Sequence, residues 1–197
     1  MLYKSGIPIG SRPSFHTSNI MGTNEEPWMS RDSINFIYPK ISKMKNKNLL
    51  EFGCGSSTAW FLKMLNCKVT SVEHDKYWLD SVKQKIPEHL QNNWTPVFKP
   101  PVFFGECKGS GDEFFYDDYV HSIDDMEKFD IIIVDGRARS HCILNSINKL
   151  NKGGLFIVDN AERHFYKKAI DKIPMKWFKY SFPCPVDTTI VWHWDES

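Results

Sequence analysis

The stretch NLLEFGCGSSTAW, residues Asn48 to Trp60, decides the fold. A short apolar run stops at Gly53, the pattern of a buried strand. SSTAWFLKMLN then repeats apolar residues at helical spacing, with Trp60, Phe61, Met64 and Leu65 expected on the buried face. Strand, glycine turn and helix in that order form half of a nucleotide-binding unit. Gly53 and Gly55 allow the backbone to approach a ligand closely. The N–H groups around Ser56, Ser57 and Thr58, at the start of the helix, favour a negative or polar group.

Downstream, KVTSVEH is β-branched and predicts a second strand ending in acid. Its Glu73 lies twenty residues after Gly53, where a carboxylate can accept from ribose hydroxyls. DKYWLDSVKQKI predicts a helix with Trp78, Leu79, Val82 and Ile86 inward, Asp75 as its cap and Pro87 closing the unit. Upstream, Ser30 or Asp32 can cap a helix carrying Ile34, Ile37, Tyr38 and Ile41 on one face, kinked or ended by Pro39.

From 93 to 128 the pattern is weaker. TPVFK or PVFFGE supplies one strand, and GECKGSGDEFFYDDYVHSIDD is expected as a long loop with a short helix. FDIIIVDG is a strand ending at Asp135. SHCILNSINKLN is a helix with Cys142, Ile143, Ile147 and Leu150 inward, stopped by Gly153-Gly154. GLFIVDN is a strand ending in Asp159-Asn160, ERHFYKKAIDKI a helix, and MKWFKYSF and DTTIVWHW two strands with Pro183 and Pro185 between them. The expectation is an α/β fold: a Rossmann-like, mostly parallel seven-stranded sheet, helices on both faces, and an antiparallel C-terminal hairpin at the edge. Residues 1–27 read as a flexible N-terminal arm and 28–197 as a single domain. In such sheets ligands bind at the carboxyl ends of the strands. Glu51–Gly53, Glu73-His74, Asp135 and Asp159-Asn160 are therefore expected to form one site.

A chain of 197 residues that is 41% hydrophobic fills one core. The 25 basic and 24 acidic residues leave a net charge of +1, which argues for neither nucleic acid nor an anionic membrane as partner. The five cysteines are odd in number and form no C-x-x-C pair, as expected of free thiols in a reducing compartment. MLYKSGIPIGSRPSFH has no apolar leader core, and no segment approaches the ~20 apolar residues of a membrane span. A soluble, cytoplasmic protein is the expectation.

Two ligands compete for the glycine turn. A dinucleotide fingerprint needs a third glycine, and Thr58 occupies that position. Glu51, two residues before Gly53, would repel a pyrophosphate and suits a ligand carrying an ammonium and a sulfonium. LLEFGCGSST resembles motif I of the class I S-adenosylmethionine-dependent methyltransferases. SVEHD resembles their second acidic motif, FDIIIVDGRAR their fourth, LNKGGLFIVDN the following strand and TTIVWHW the antiparallel last strand. The resemblance spans about residues 28 to 194 and is closest to small stand-alone enzymes; Ser57 stands where the motif often has a third glycine.

The resemblance implies roles. Glu51, Gly53 and Gly55 would surround the methionine end of S-adenosylmethionine, Ser56, Ser57 and Thr58 would meet its carboxylate, Glu73 the ribose, and His74 the region near the adenine. Glu106, Asp112 and the aromatics of DEFFYDDY are candidates for the adenine amine. Trp28 and Ser30 either close over the cofactor or pack. Asp135 either orients the cofactor ammonium or serves the substrate. Asp135, Asp159 and Asn160 are hard oxygen ligands suited to Mg²⁺ or Ca²⁺, like the metal set of catechol-type O-methyltransferases; alternatively the Asp-Asn pair is a capping turn. Arg137, Arg139 and Arg163 would grip an anionic substrate group or pair with local acids. His164 is a base or structural, and Tyr166, Phe114, Phe115, Tyr116 and Tyr119 stack on a ligand or fill the core. The implied function is methyl transfer to a small-molecule or glycan acceptor at a hydroxyl oxygen, with Asp135, Arg137, Asp159 and Asn160 at the chemistry. An NAD-type oxidoreductase and a catalytically inactive S-adenosylmethionine-binding protein are the alternatives. A nucleic-acid enzyme is disfavoured, since DGRAR rather than an N-P-P-Y motif follows the fourth strand.

Overall fold

A computed structural model describes residues 27–111 and 113–195 of the chain; most of the expected N-terminal arm, and Asp112, lie outside them. The first helix, α1 (Arg31–Lys43), begins at Ser30, whose hydroxyl accepts from Ser33 N at 3.2 Å. Pro39 lies inside α1 and does not end it. Ile37 and Ile41 are buried as expected, but Tyr38 is 41% exposed.

The nucleotide-type unit forms as read. β1 (Asn48–Phe52) leads through the glycine turn into α2 (Ser56–Leu65), then β2 (Lys68–Glu73) and α3 (Lys76–Lys85). Asp75 caps α3 by accepting from Trp78 N at 3.0 Å. Met64, expected inside, is 57% exposed, and Ala59 and Leu62 fill that face instead. A single turn, α4 (Glu88–Gln91), precedes β3 (Trp94–Phe98). Of the two candidates for this strand TPVF is the one used; Val102 makes only an isolated bridge to Phe115. Pro96 is tolerated because β3 is an edge strand. After a long loop come α5 (Asp117–His121), β4 (Phe129–Val134), α6 (Arg139–Ser146), β5 (Leu150–Val158), the short α7 (Lys167–Ile170), β6 (Phe178–Pro183) and β7 (Thr188–His193).

The seven strands form one sheet in the order β3-β2-β1-β4-β5-β7-β6. β1 to β5 run parallel, and β7 is antiparallel to both β5 and β6. The C-terminal hairpin is at the edge, with its second strand inserted against β5. Residues alternate between two cores. Leu49, Ile131 and Ile133 face α1, α2 and α3, while Leu50, Phe52, Ile132 and Val134 face α5 and α6. This is the expected two-sided α/β sandwich.

Two helix expectations are corrected. The sixth helix stops at Ser146, and a 3₁₀ turn over Ile147–Lys149 leads straight into β5. Leu150 is therefore a strand residue paired with Phe129, not the end of a helical face. Gly153 and Gly154 lie within β5, where the register to β4 shifts. A Cβ on Gly154 would lie 2.6 Å from Asp130 O, so the glycine pair permits a bulge rather than a cap. The segment 162–173 holds only a 3₁₀ turn and one turn of α7, not a continuous helix.

The turns after β1 and β4 touch each other. Gly53 takes φ +91°, and a Cβ there would lie 2.8 Å from Gly136 Cα. A Cβ on Gly136 would lie 2.0 Å from the Tyr119 hydroxyl oxygen and 2.9 Å from Gly53 N. Gly136→Ala is therefore expected to lower stability by about 1–3 kcal/mol through overpacking. Tyr119→Phe in the same chain should restore part of that, because it removes the nearest atom. Urea unfolding of the wild type and the two variants checks this, and an unchanged midpoint for Gly136→Ala would refute the close contact.

Candidate functional site

The carboxyl ends of β1, β2, β4 and β5 collect the residues singled out in the sequence. The first turn is braced from below. Glu51, with no solvent exposure, accepts from Ser71 Oγ at 2.5 Å, from Ser57 Oγ at 3.1 Å and from Thr58 Oγ1. Ser71 is its direct partner across the β1–β2 ladder, and Trp94 Nε1 donates to Ser71 Oγ at 2.8 Å. Glu51 thus ties β1, β2 and the first turn of α2 together. Its carboxylate is hydrogen-bonded within the protein, beneath the glycine turn. Burial lifts its pKa from 4.5 to about 7; the Ser71, Thr58 and Ser57 hydroxyls hold the rise back. Ser71 was not singled out in the sequence. Aligning the two strands twenty residues apart would have found it.

Glu73 is the opposite case. It is also buried, and burial alone would raise its pKa, but contact with His74 and the N–H groups of Asp75 and His74 bring it below the ordinary value. His74 N and Asp75 N donate to Oε1 at 2.8 and 2.9 Å, and Cys54 N donates to Oε2 at 3.1 Å. His74 Nδ1 lies 2.6 Å from Oε1 without the alignment of a hydrogen bond. An anion is therefore fixed at the tip of β2, directly against the glycine turn. Around it, Arg137 Nε donates to His74 Nε2 at 3.4 Å, and the His74 ring meets Tyr116 and Tyr119 edge-on. Trp78 Nε1 donates to Cys54 O at 2.7 Å, so the ring expected in the core is half-exposed over the turn.

The turn itself is open. Nothing lies within 4 Å of a Cβ placed on Gly55, and no side chain caps the ten-residue α2. Gly55 N donates to Thr58 Oγ1 at 2.9 Å. The first N–H groups of α2 face the positive end of the helix dipole outward, a cradle for a carboxylate.

At the ends of β4 and β5 the organising group is Arg139. Its side chain is 4% exposed and donates to Asp135 O and Asp135 Oδ1 at 2.7 Å each, Gly136 O at 3.0 Å, Asp159 O at 2.5 Å and Asn160 Oδ1 at 3.2 Å. Burial would lower its pKa, but Asp135 above all raises it, so it is a cation. Of the two readings of Arg139, pairing with a local acid is the one its geometry shows. Asp159 is buried, accepts from Thr189 Oγ1 at 2.8 Å, and is pushed above the usual carboxylate range by burial and by Asp135. Asn160 takes the left-handed conformation at φ +51°.

The donor set does not fit Mg²⁺ or Ca²⁺. One Asp135 carboxylate oxygen and Asn160 Oδ1 are already hydrogen-bonded to a guanidinium, whose buried positive charge would repel a second cation. Among the described residues no group of three His, Cys, Asp or Glu side chains is arranged for a metal.

Of the other candidates, some are exposed and some pack behind the rim. Ser30 is the helix cap of α1. Arg163 is 3.9 Å from Glu162, and His164 is exposed beside Phe165. Tyr166 is buried under the Arg139 guanidinium, 5.8 Å from ring centre to Cζ. Tyr119 is wholly buried with its hydroxyl against Gly136. Glu106 is exposed, with its backbone N–H held by Asp117 at 2.9 Å.

No protein-family model matches the chain, and no curated protein matches it. Solved structures do match. A methyltransferase-like protein from Silicibacter pomeroyi is 19% identical, with 88% of this chain and 90% of that one covered, at a TM-score of 0.61. A candidate caffeoyl-CoA O-methyltransferase from Staphylococcus aureus is 18% identical over 86% and 87% of the chains, at 0.60. A candidate methyltransferase from Streptococcus mutans, in complex with SAH, is 12% identical over 84% and 99%, at 0.56. The chain has the fold of the class I S-adenosylmethionine-dependent methyltransferases.

Glu51 generates a pH prediction. Its folded pKa of about 7 exceeds the ordinary 4.5. Across that window the folded state keeps the proton that the unfolded state has released, so stability falls as pH rises, by roughly 3 kcal/mol. Glu51→Gln should remove that part of the decline. Comparing urea unfolding of the two proteins at about pH 5 and pH 7.5 tests it; parallel slopes would show that the buried carboxyl does not titrate there.

Proposed function

We propose that the chain is an S-adenosylmethionine-dependent methyltransferase acting on a small-molecule or glycan acceptor at a hydroxyl oxygen. The observation that carries the reading is the fixed Glu73 carboxylate at the tip of β2, beside an open glycine turn and an uncapped helix start. An anion there serves the ribose hydroxyls, and the N–H groups of Ser56 and Ser57 serve the amino-acid carboxylate. Thr58 in place of a third glycine, packed against Glu51, disfavours a dinucleotide.

When bound, S-adenosylmethionine would supply a sulfonium methyl whose S–C bond breaks as the O–C bond forms, leaving a neutral thioether. The chain's part is alignment, exclusion of water and proton removal. Asp135, 30% exposed at the end of β4, is the carboxylate placed to orient the cofactor ammonium or take the acceptor proton. Arg137, exposed at the same rim, is the cation available to an anionic acceptor group. Asp159 and Asn160 act behind Asp135, through Arg139, and do not themselves meet the acceptor. The near-neutral charge of the chain favours a small acceptor over a nucleic acid. Among the described residues no helix is long and apolar enough to cross a membrane.

Isothermal titration with S-adenosylhomocysteine tests the reading. The wild-type chain should bind it and not NAD⁺. Glu73→Ala should weaken binding by about tenfold to a hundredfold, the loss of hydrogen bonds to a charged group at about 1.5–3 kcal/mol. Binding of NAD⁺ alone would overturn the reading.

A further inference from the structure

The Arg139 guanidinium has five N–H donors, and each has an acceptor. Nε donates to Gly136 O, Nη1 to Asp159 O and Asn160 Oδ1, and Nη2 to Asp135 O and Asp135 Oδ1. The acceptors come from the ends of two adjacent strands, and Tyr166 covers the guanidinium from one side. Full use of the fork in a buried place is the arrangement of a structural cation. These oxygens, Asp135 Oδ1 and Asn160 Oδ1, are among those a hard divalent ion at these strand ends would draw on, and the guanidinium already supplies the positive charge there.

We propose that Arg139 is the resident cation of this site: it holds Asp135 and the β4 and β5 ends where a divalent metal would otherwise hold them, and the site works without such a metal. This rests on the methyltransferase reading for its role and on the geometry alone for the exclusion of metal. Arg139 is a positioning residue. It fixes the Asp135 backbone and one carboxylate oxygen, and so sets the direction of the carboxylate toward the cofactor. Lysine cannot replace it, because an ammonium has three donors and no planar fork.

The test uses the full chain and Mn²⁺ as a paramagnetic probe. With wild-type protein, with and without S-adenosylhomocysteine, the free Mn²⁺ resonance should show no stoichiometric loss, and EDTA should leave S-adenosylhomocysteine affinity unchanged. Stoichiometric Mn²⁺ binding that disappears in Asp135→Asn would overturn the proposal. Arg139→Ala should weaken S-adenosylhomocysteine binding about tenfold, or about 1.4 kcal/mol. Millimolar guanidinium chloride should recover it, equal KCl should not, and Arg139→Lys should stay weak. A folded Arg139→Ala with wild-type affinity, or full recovery in Arg139→Lys, would also overturn it. If Arg139→Ala does not fold, the wild-type Mn²⁺ and EDTA measurements decide. Failure of wild-type protein to bind S-adenosylhomocysteine would instead sink the methyltransferase reading, while Mn²⁺ in its absence still decides the question of the cation.

Discussion

Everything at the carboxyl edge of the sheet depends on two backbones meeting without side chains between them. Gly53 and Gly136 leave the turns after β1 and β4 in direct contact, with the Tyr119 hydroxyl where a side chain on Gly136 would go. The ladder reaches into both turns: Gly53 N donates to Val72 O at 2.8 Å and Asp135 N to Phe52 O at 3.1 Å. One side chain at either position would pry the turns apart. Glu73 and His74 on one side, and Asp135 and Arg139 on the other, share a single rim because this contact is close.

Behind the rim, three buried carboxylates are handled in three ways. Glu51 meets three hydroxyls, which do not offset its burial, and its pKa rises to about 7. Asp159 meets one hydroxyl and a neighbouring acid, and also rises. Glu73 meets three backbone N–H groups and His74, and falls. Backbone N–H groups are fixed donors that cannot turn away, whereas a hydroxyl can as readily donate to something else. Hydroxyl-bound acids therefore brace the fold, and the amide-bound acid is the one kept anionic.

The sequence was legible where local chemistry and the global fold agree. The segment 48–86 carries strand period, glycine turn, helix period and cap in order, and folds that way. Gly153-Gly154 was misread because a glycine pair after a helical pattern looks like a stop signal; only the pairing of Leu150 with Phe129 reveals a bulge. Arg139 was grouped with Arg137 and Arg163 because charge says nothing about burial. Its distinguishing feature is spacing: four residues after Asp135 it returns to the same strand end, as Arg137 cannot. Glu51 is expected beside the ligand because the motif puts it next to the glycines; what the motif does not show is that strand alternation sets it on the face of Leu49, under α2.

The charges at the rim follow from these placements. Asp135 and Arg139 largely cancel, since the guanidinium is buried against the carboxylate and the backbone carbonyls. Glu73 keeps its charge, screened on one side by His74 and, through it, by Arg137. The glycine turn between them offers only N–H groups and the helix end. A ligand spanning this edge meets, in order, an anion for its hydroxyls, an amide cradle for a carboxylate and a neutralised acid–base pair beyond. A pyrophosphate at the glycine turn would bring its negative charges against the Glu73 carboxylate. A zwitterionic amino-acid ligand would set its carboxylate on the amide cradle and its ammonium toward the half-buried Asp135, so the pattern of the rim, as much as the glycines, favours the proposed cofactor.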